Sequence, residues 1–130
     1  MQLGYTVLFV PAVQPAVDFY EQAFGLQRGL ATPEFATLRT GQTTLAFGAE
    51  SNERRELGDA LAFRPNRPDA DPAGIQISFI ADDVEAAFAH AVDAGAKPVV
   101  TPQLMPWGQW VSRVRDLNGV LVSIVTAPRF

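Results

Sequence analysis

The sequence contains no cysteine and only one histidine among its 130 residues. Without cysteine, disulfide bonds and thiolate chemistry are both excluded. Basic residues are also scarce: 10 lysines and arginines stand against 14 acidic residues, for a net charge of −4. No basic block is present, which argues against nucleic-acid binding. No apolar run approaches the roughly 18–20 residues that span a bilayer, so we expect no membrane partner.

The sequence does contain enough apolar material for one folded core. A hydrophobic fraction of 48% argues against disorder, and a chain of this length suits a single domain. The N-terminal run MQLGYTVLFVPAV lacks a basic flank, so we interpret it as a buried strand and not as a signal peptide. A cytoplasmic protein is the resulting expectation.

The first half of the sequence is typical of a strand followed by an amphipathic helix. Residues 4–10 are rich in apolar and β-branched side chains and predict a strand. A helix from about Pro15 to Phe24 places its apolar side chains on one face, and Gly25 is suited to end it. Further strands are expected at 27–31, 35–39 and 43–49.

The second half repeats this order. Residues 75–81 predict a strand, Asp82 and Asp83 can cap a helix that runs through Ala94, and Gly95 ends it. The two helix-ending glycines are 95 − 25 = 70 residues apart, and such internal repeats define the architecture. Three more strands are expected at 97–101, 110–115 and 120–126. Other pairs match at the same offset: Phe9 and Phe79, Val10 and Ile80, Ala16 and Ala86.

This duplication predicts an α+β fold of two tandem βαβββ modules in one domain. Module 1 covers about residues 1–50, a linker about 51–73, and module 2 about 74–130. Residues 50–73 are polar and proline-rich, with a short ordered piece expected at 61–63. The simplest interpretation is a surface loop, although loops this long often cover a site.

The chain ends in a predicted β-hairpin whose turn is Asp116-Leu117-Asn118-Gly119. Asp at the first position and Gly at the last are typical of a type I turn. In the strand before it, alternation puts Trp110, Ser112 and Val114 on one face. The other face then carries Val111, Arg113 and Arg115.

These features resemble the glyoxalase/bleomycin-resistance/extradiol-dioxygenase family, the vicinal-oxygen-chelate fold. The segments 5–10, 17–20 and 24–26 are similar to that family's opening, and 76–85 to the start of its second module. Pro106-Trp107-Gly108 resembles the Pro-Trp-Gly of the bleomycin-resistance branch. The resemblance covers nearly the whole chain. It implies two modules side by side, sheets curved around an open cleft, helices outside, and a homodimer.

The resemblance also implies where a metal would bind in an enzyme of this family. The four ligand positions correspond to Tyr5, a residue within 45–47, Gln76 and Ser123. Divalent catalytic metals prefer imidazole and carboxylate ligands, so we predict no metal and no other cofactor. His90 is expected on a helix surface, and Glu50 is the one further residue that could be recruited beside Gln76.

The candidate ligand-binding residues are aromatic side chains and neutral hydrogen-bonding groups on the strand faces that the resemblance assigns to the cleft. Each has an ordinary structural alternative: Phe35, Phe47 and Trp110 in a core or interface, Trp107 as a loop anchor. The three arginines at 39, 113 and 115 are expected in solvent, with anion binding by one of them as the alternative. The candidates are Tyr5, Phe9, Phe35, Phe47, Gln76, Ser78, Trp107, Trp110 and Ser123.

Two kinds of function follow. The first is a metal-free homodimer that sequesters a hydrophobic or aromatic small molecule, such as an antibiotic, without catalytic residues; the net charge of −4 would suit a cationic compound. The alternative is an enzyme: a metal-dependent lyase or dioxygenase with a non-standard ligand set, or a metal-free one using Tyr5 or an aspartate. The sequence leaves the ligand open, and also whether modules pair within one chain or between two.

Overall fold

The computed structural model describes residues 1–128. The protein contains two four-stranded sheets, and each sheet packs against its own helix. The chain divides into two compact units, Met1–Asn66 and Arg67–Phe130. Each unit contains one βαβββ module, so the predicted α+β fold of two such modules is confirmed.

Unit 1 forms a mixed sheet in the strand order β1-β4-β3-β2. β1 pairs with β4 in parallel, and the other pairs are antiparallel. Helix α1 connects β1 to β2 and packs against the sheet. The elements are β1 Tyr5–Val10, α1 Val13–Phe24, β2 Gln27–Ala31, β3 Phe35–Arg39, β4 Thr44–Ala49 and α2 Glu50–Leu57.

The core of unit 1 lies between α1 and the sheet. Tyr20 of α1 is 1% exposed, and its ring centroid is 4.9 Å from that of Phe47 on β4. Phe47 is fully buried there and belongs to the core. At the end of α1, Gly25 takes the left-handed conformation with φ of 70° and donates its N–H to Glu21, as its position predicts.

Helix α2 differs from the sequence prediction, which has a linker loop from residue 50 onwards. The helix has few apolar residues and therefore no amphipathic pattern, but its charges suit a helix dipole. Glu50 and Glu53 lie in its first turn, and Arg54 and Arg55 in its last. The expected ordered piece at 61–63 forms neither helix nor strand, although the Phe63 ring packs on Phe9 at 4.9 Å.

Unit 2 forms the equivalent sheet in the order β5-β8-β7-β6, with β5 parallel to β8. Helix α3 begins as expected: Asp83 is its N-cap and its side chain accepts the N–H of Ala86 at 3.0 Å. His90 of α3 is exposed, also as expected. The elements are β5 Gln76–Ile80, α3 Val84–Asp93, β6 Lys97–Leu104, β7 Trp110–Arg115 and β8 Leu121–Val125.

The predicted turn between β7 and β8 is present. Gly119 donates its N–H to the carbonyl of Asp116 at 3.1 Å and has φ of 86°. The Asp116 carboxylate accepts two further backbone N–H groups, from Asn118 at 2.9 Å and Val120 at 2.8 Å. This turn sets the register of the hairpin, in which Arg113 lies opposite Ser123.

Arg115 is not solvated, contrary to the sequence prediction. Its guanidinium is half-buried and donates to the carbonyls of Gly119 at 2.9 Å and Arg67 at 3.2 Å. It also reaches the carbonyls of Pro68 and Ala70. One side chain thus fastens residues 67–70 to the hairpin turn, because a guanidinium offers five donors in a rigid fork.

Equivalent residues of the two modules are separated by two different sequence offsets. Tyr5 and Gln76 occupy equivalent first positions of β1 and β5, and 76 − 5 = 71. The helix-ending glycines remain 70 apart. The strand matches proposed at an offset of 70 are therefore wrong: Phe9 corresponds to Ile80, and each lines the cleft of its own unit.

Candidate functional site

Each unit has its own cleft on the face of the sheet that its main helix does not cover. The module 1 cleft is defined by Tyr5, Phe9, Glu34, Phe35, Glu53 and Glu56. The module 2 cleft is defined by Gln76, Ser78, Ile80, Trp107, Arg113 and Ser123.

The module 2 cleft is a cavity of about 330 Å³ with apolar walls. Ile80, Met105, Val111 and Val125 supply those walls. The volume falls at the lower end of the roughly 300–1,000 Å³ found for small-molecule sites. Its composition, apolar sides with a few polar groups, is also typical of such sites.

A chain of hydrogen bonds crosses the floor of the module 2 cleft. Arg113 on β7 donates its Nε–H to Oε1 of Gln76 at 3.1 Å. Gln76 then donates from Nε2 to the hydroxyl of Ser78 at 3.2 Å, and Ser123 donates to the same hydroxyl at 2.7 Å. The amide orientation of Gln76 is fixed by Arg113, because a guanidinium has no acceptor and can only face the amide oxygen.

Trp107 stands at the rim of this cleft with 62% of its surface exposed. Its indole N–H donates to Oε1 of Gln109 at 3.0 Å, and Gln109 donates in turn to the Thr126 carbonyl at 2.9 Å. The indole is therefore held by its polar edge while its flat face stays accessible. A large exposed aromatic in a fixed orientation suits stacking on a planar ligand.

Trp110 lies on the other face of β7. Ser112 and Val114, which share this face of the strand with Trp110, are fully buried, whereas Arg113 faces the cleft. Trp110 borders a separate cavity of about 370 Å³ that it shares with Trp107. It is thus not a wall of the module 2 cleft.

The module 1 cleft is larger, about 670 Å³, and carries negative charge. Tyr5 and Phe35 meet edge to face, with ring centroids 6.4 Å apart. Glu53 of α2 lies over Gly48, where an added Cβ would require the Glu53 carboxylate to shift. Burial raises the pKa of the Glu53 carboxyl, and the nearby charge of Glu56 raises it further.

The structure thus distributes the candidate residues over two clefts, a core and a side cavity. Their role in ligand binding stays a prediction. Gln76, Ser78, Trp107 and Ser123 come together in the module 2 cleft, Tyr5, Phe9 and Phe35 line the module 1 cleft, Phe47 is core, and Trp110 borders the side cavity.

Arg113 is the cleft residue that sequence reasoning assigned to solvent. A signal for it was present in the hairpin. The Asp116–Gly119 turn pairs Arg115 with Leu121 and hence Arg113 with Ser123, and side chains of directly opposed residues share a face. Since Ser123 was assigned to the cleft, Arg113 belonged there as well.

The residues at the family's metal positions do not fit a divalent metal. Among residues 1–128, no group of three His, Cys, Asp or Glu side chains could hold one. The oxygen that Gln76 would offer already faces the Arg113 guanidinium at 3.1 Å, and a second cation there would be repelled. Ala46, within the segment that should supply the second ligand, is fully buried, and Ser123 is engaged with Ser78.

Comparison with known proteins identifies the family. Residues 2–124 match the model of the Glyoxalase/Bleomycin resistance protein/Dioxygenase superfamily, and the chain therefore belongs to that superfamily. No curated protein matches the chain. In the part of the chain that the structure describes, no helix combines the length and hydropathy needed to cross a bilayer; a cytoplasmic location stays a prediction.

Solved structures agree with the fold. A glyoxalase-related enzyme from Fulvimarina pelagi matches at 20% identity with a TM-score of 0.83, covering 98% of this chain and 89% of the other. A family enzyme from Burkholderia phytofirmans PsJN matches at 22% and 0.80, covering 98% and 100%. TioX from Micromonospora sp. ML1 matches at 24% and 0.71, covering 97% and 98%. At these identities the likeness shows the fold alone.

Proposed function

We propose that the protein is a metal-free binding protein that holds a hydrophobic, aromatic small molecule in the module 2 cleft. The observation that carries the proposal is the composition of this cleft. Ile80, Met105, Val111 and Val125 form apolar walls around one polar floor, and Trp107 offers an exposed aromatic face at the rim. Burial of a planar ligand between such surfaces contributes about 25 cal/mol for each Å² of apolar area removed from water.

A binding role suits this cleft better than catalysis. The residues that line it, among those described, include no histidine, aspartate, glutamate or cysteine. Ser78 and Ser123 therefore have no general base beside them, and a serine hydroxyl is a weak nucleophile without one. Arg113 offers hydrogen-bond donors but no acceptor. Sequestration of an aromatic compound, such as an antibiotic, needs none of these groups.

Metal analysis separates this proposal from the enzyme alternative. The purified protein is incubated with nickel, zinc, manganese and iron(II), desalted, and measured for retained metal. We expect less than about a tenth of an equivalent of each, because Gln76 faces a guanidinium and carboxylate and imidazole ligands are missing. Near-stoichiometric retention of one metal would overturn the proposal and favour the lyase or dioxygenase.

Ligand binding is tested on the same preparation with a panel of planar aromatic compounds, followed by tryptophan fluorescence. A saturable change with one-to-one stoichiometry supports the proposal. If no planar compound binds below millimolar concentration, or if the protein converts one of them chemically, the proposal of a non-catalytic binder is wrong.

We also propose that the protein is a homodimer. Large apolar side chains outside the two clefts remain exposed, including Ile75 at 52%, Val99 at 50% and Leu104 at 58%, and subunit association would cover such surface. Light scattering coupled to size exclusion at micromolar concentration should give twice the monomer mass. A monomer across that concentration range would contradict the proposal.

A further inference from the structure

The polar groups of the module 2 cleft are unequal: most of its side-chain acceptors already receive a hydrogen bond, whereas several of its donors are uncommitted. Oε1 of Gln76 accepts from Arg113, and Oε1 of Gln109 accepts from the indole of Trp107. The Ser78 hydroxyl oxygen accepts two hydrogen bonds, from Gln76 and Ser123. The Ser123 hydroxyl is fully buried, so the cleft offers a ligand more uncommitted donors than uncommitted acceptor atoms.

The donors that remain belong to Arg113, to Ser78 and to the side-chain amides of Gln76 and Gln109. Each amide nitrogen uses only one of its two N–H groups. Arg113 uses only its Nε–H in the hydrogen bonds of the described residues, so its two terminal nitrogens keep their four N–H groups. Ser78 accepts twice, which leaves its own hydroxyl hydrogen to donate. All these uncommitted groups point to a ligand that carries acceptor oxygens.

The charge of the cleft also favours a ligand that carries acceptor oxygens. Arg113 is its one charged lining residue among those described, and no carboxylate of residues 1–128 pairs with it. The guanidinium is half-buried, where an unpaired charge is costly and a bound anion is correspondingly favourable. The hydrogen bond from Nε to Gln76 fixes the orientation of the guanidinium, so the two terminal nitrogens are already oriented.

We propose that Arg113 binds the carboxylate of a planar aromatic acid, with the Ser78 hydroxyl as a second donor and Trp107 and the apolar walls against the ring. The inference rests on the proposed binding function and names the class of its ligand. Arginine suits a carboxylate because the planar fork matches the two oxygens. The positive floor reverses the expectation of a cationic ligand, which was drawn from net charge alone.

The module 1 cleft provides an internal contrast. Its charged lining residues are Glu34, Glu53 and Glu56, and like charges repel an anion. Arg55 pairs with Glu34 from outside that lining at 3.1 Å, which compensates one of the three carboxylates. An aromatic carboxylate should therefore choose the module 2 cleft, so that binding depends on Arg113 and not on the glutamates.

The test is isothermal titration calorimetry of the full chain with 2-naphthoate and with its neutral counterpart, 2-naphthamide. The two probes share ring size and shape and differ in charge. We expect 2-naphthoate to bind about ten- to a hundredfold more tightly, the range for a charge-assisted hydrogen bond. In Arg113→Gln the preference should fall below about threefold while 2-naphthamide binding is retained. Arg39→Gln, an exposed arginine outside the cleft with the same change in net charge, should keep the full preference.

The outcomes separate the inference from the function on which it rests. Equal binding of the two probes by the wild type, or an unchanged preference in Arg113→Gln, overturns the inference and leaves a neutral aromatic binder. Failure of both probes to bind the wild type overturns the inference together with the proposed function. If Arg113→Gln does not fold, as judged by circular dichroism, Arg113→Lys replaces it. That variant keeps the charge but loses the fork, and the preference should fall at least threefold; an undiminished preference would overturn the inference.

Discussion

Arg113 and Gln76, 37 residues apart in the sequence, are joined by a hydrogen bond of 3.1 Å from Nε to Oε1. This one contact uses the amide oxygen that the family's metal site would require and places a fixed positive charge beside it. The same contact orients the remaining N–H groups of Arg113. Under the proposal made here, these two side chains suit the module 2 cleft to an anion and not to a metal cation.

Gln76→Glu should remove the anion preference of the module 2 cleft. The introduced carboxylate would pair with Arg113 at the present hydrogen-bond distance, so a ligand carboxylate would meet a neutralised guanidinium. We expect calorimetry to show 2-naphthoate affinity reduced about tenfold or more, with 2-naphthamide affinity within about twofold of the wild type. Gln42→Glu, at an exposed loop position, makes the same change in charge and should have no effect on either probe. Equal losses of 2-naphthoate affinity in both variants would show that net charge, and not pairing with Arg113, causes the effect.

Trp107 and Trp110 should respond differently to a ligand. In Trp110→Phe, Trp107 remains as the only indole, and we expect ligand-induced fluorescence changes of wild-type size. In Trp107→Phe the remaining indole lies on the opposite face of β7, so the change should fall to below about a fifth and affinity should weaken by about 1 kcal/mol. A full response in Trp107→Phe would show that the ligand sits in the cavity beside Trp110.

Gly119→Ala should be far more destabilising than Gly41→Ala. Both glycines have left-handed φ values, 86° and 94°, which cost a non-glycine residue about 1–2 kcal/mol. A Cβ at Gly119 would also collide with the Arg67 carbonyl and lie 2.7 Å from the Arg115 guanidinium, whereas a Cβ at Gly41 meets nothing within 4 Å. Urea unfolding should give losses of about 3 kcal/mol or more and about 1–2 kcal/mol, respectively. Equal losses would mean that the 67–70 segment is not fastened to the turn.

Glu53→Gln should stabilise the protein at neutral pH and not under acid conditions. The pKa of Glu53 is raised above its ordinary value of 4.5 by burial, with a further rise from Glu56. The folded state therefore holds the proton more strongly than the unfolded state, and stability falls as pH rises above 4.5 towards the folded pKa. Below 4.5 both states are protonated and the difference between wild type and variant should vanish.

Thermal melting between pH 3.5 and 8 measures this effect, with Glu56→Gln as the comparison. Removing Glu56 deletes only the smaller cause of the shift, so its gain at pH 8 should be smaller than that of Glu53→Gln. A gain for Glu53→Gln that is the same at every pH would show that the carboxyl is not perturbed in the folded state.

Local sequence signals predicted most of the fold. The left-handed glycine after α1, the Asp83 cap of α3 and the Asp116–Gly119 turn each follow from side-chain chemistry within a few residues. Alternation groups Tyr5 with Val7 and Phe9, and Gln76 with Ser78 and Ile80, and the family resemblance assigns these sets to the cleft. In the structure they line the clefts of their own units. Helix α2 was not predicted, because its apolar residues are too few to show a helical period. Only the order of its charged residues indicated a helix.

The candidate site was less predictable, because it depends on which face of each strand lines the cleft. Alternation divides β7 into two sets but does not say which set faces the cleft. The sequence makes Trp110 a ligand-binding candidate, with a core or interface role as its alternative, and predicts Arg113 in solvent. In the structure Arg113 lines the module 2 cleft and Trp110 borders the side cavity. The four carbonyls that hold Arg115 could not be foreseen either, because three of them belong to residues 67–70, about 45 positions earlier in the chain.

The most direct test of metal-free binding is a calorimetric titration with 2-naphthoate before and after exhaustive dialysis against EDTA. We expect one saturable site per chain with the same affinity in both titrations, because the proposed site consists of Arg113, Ser78 and the apolar walls and uses no metal. Binding that disappears on chelation and returns on addition of a divalent metal would contradict the account and favour a metal-dependent enzyme.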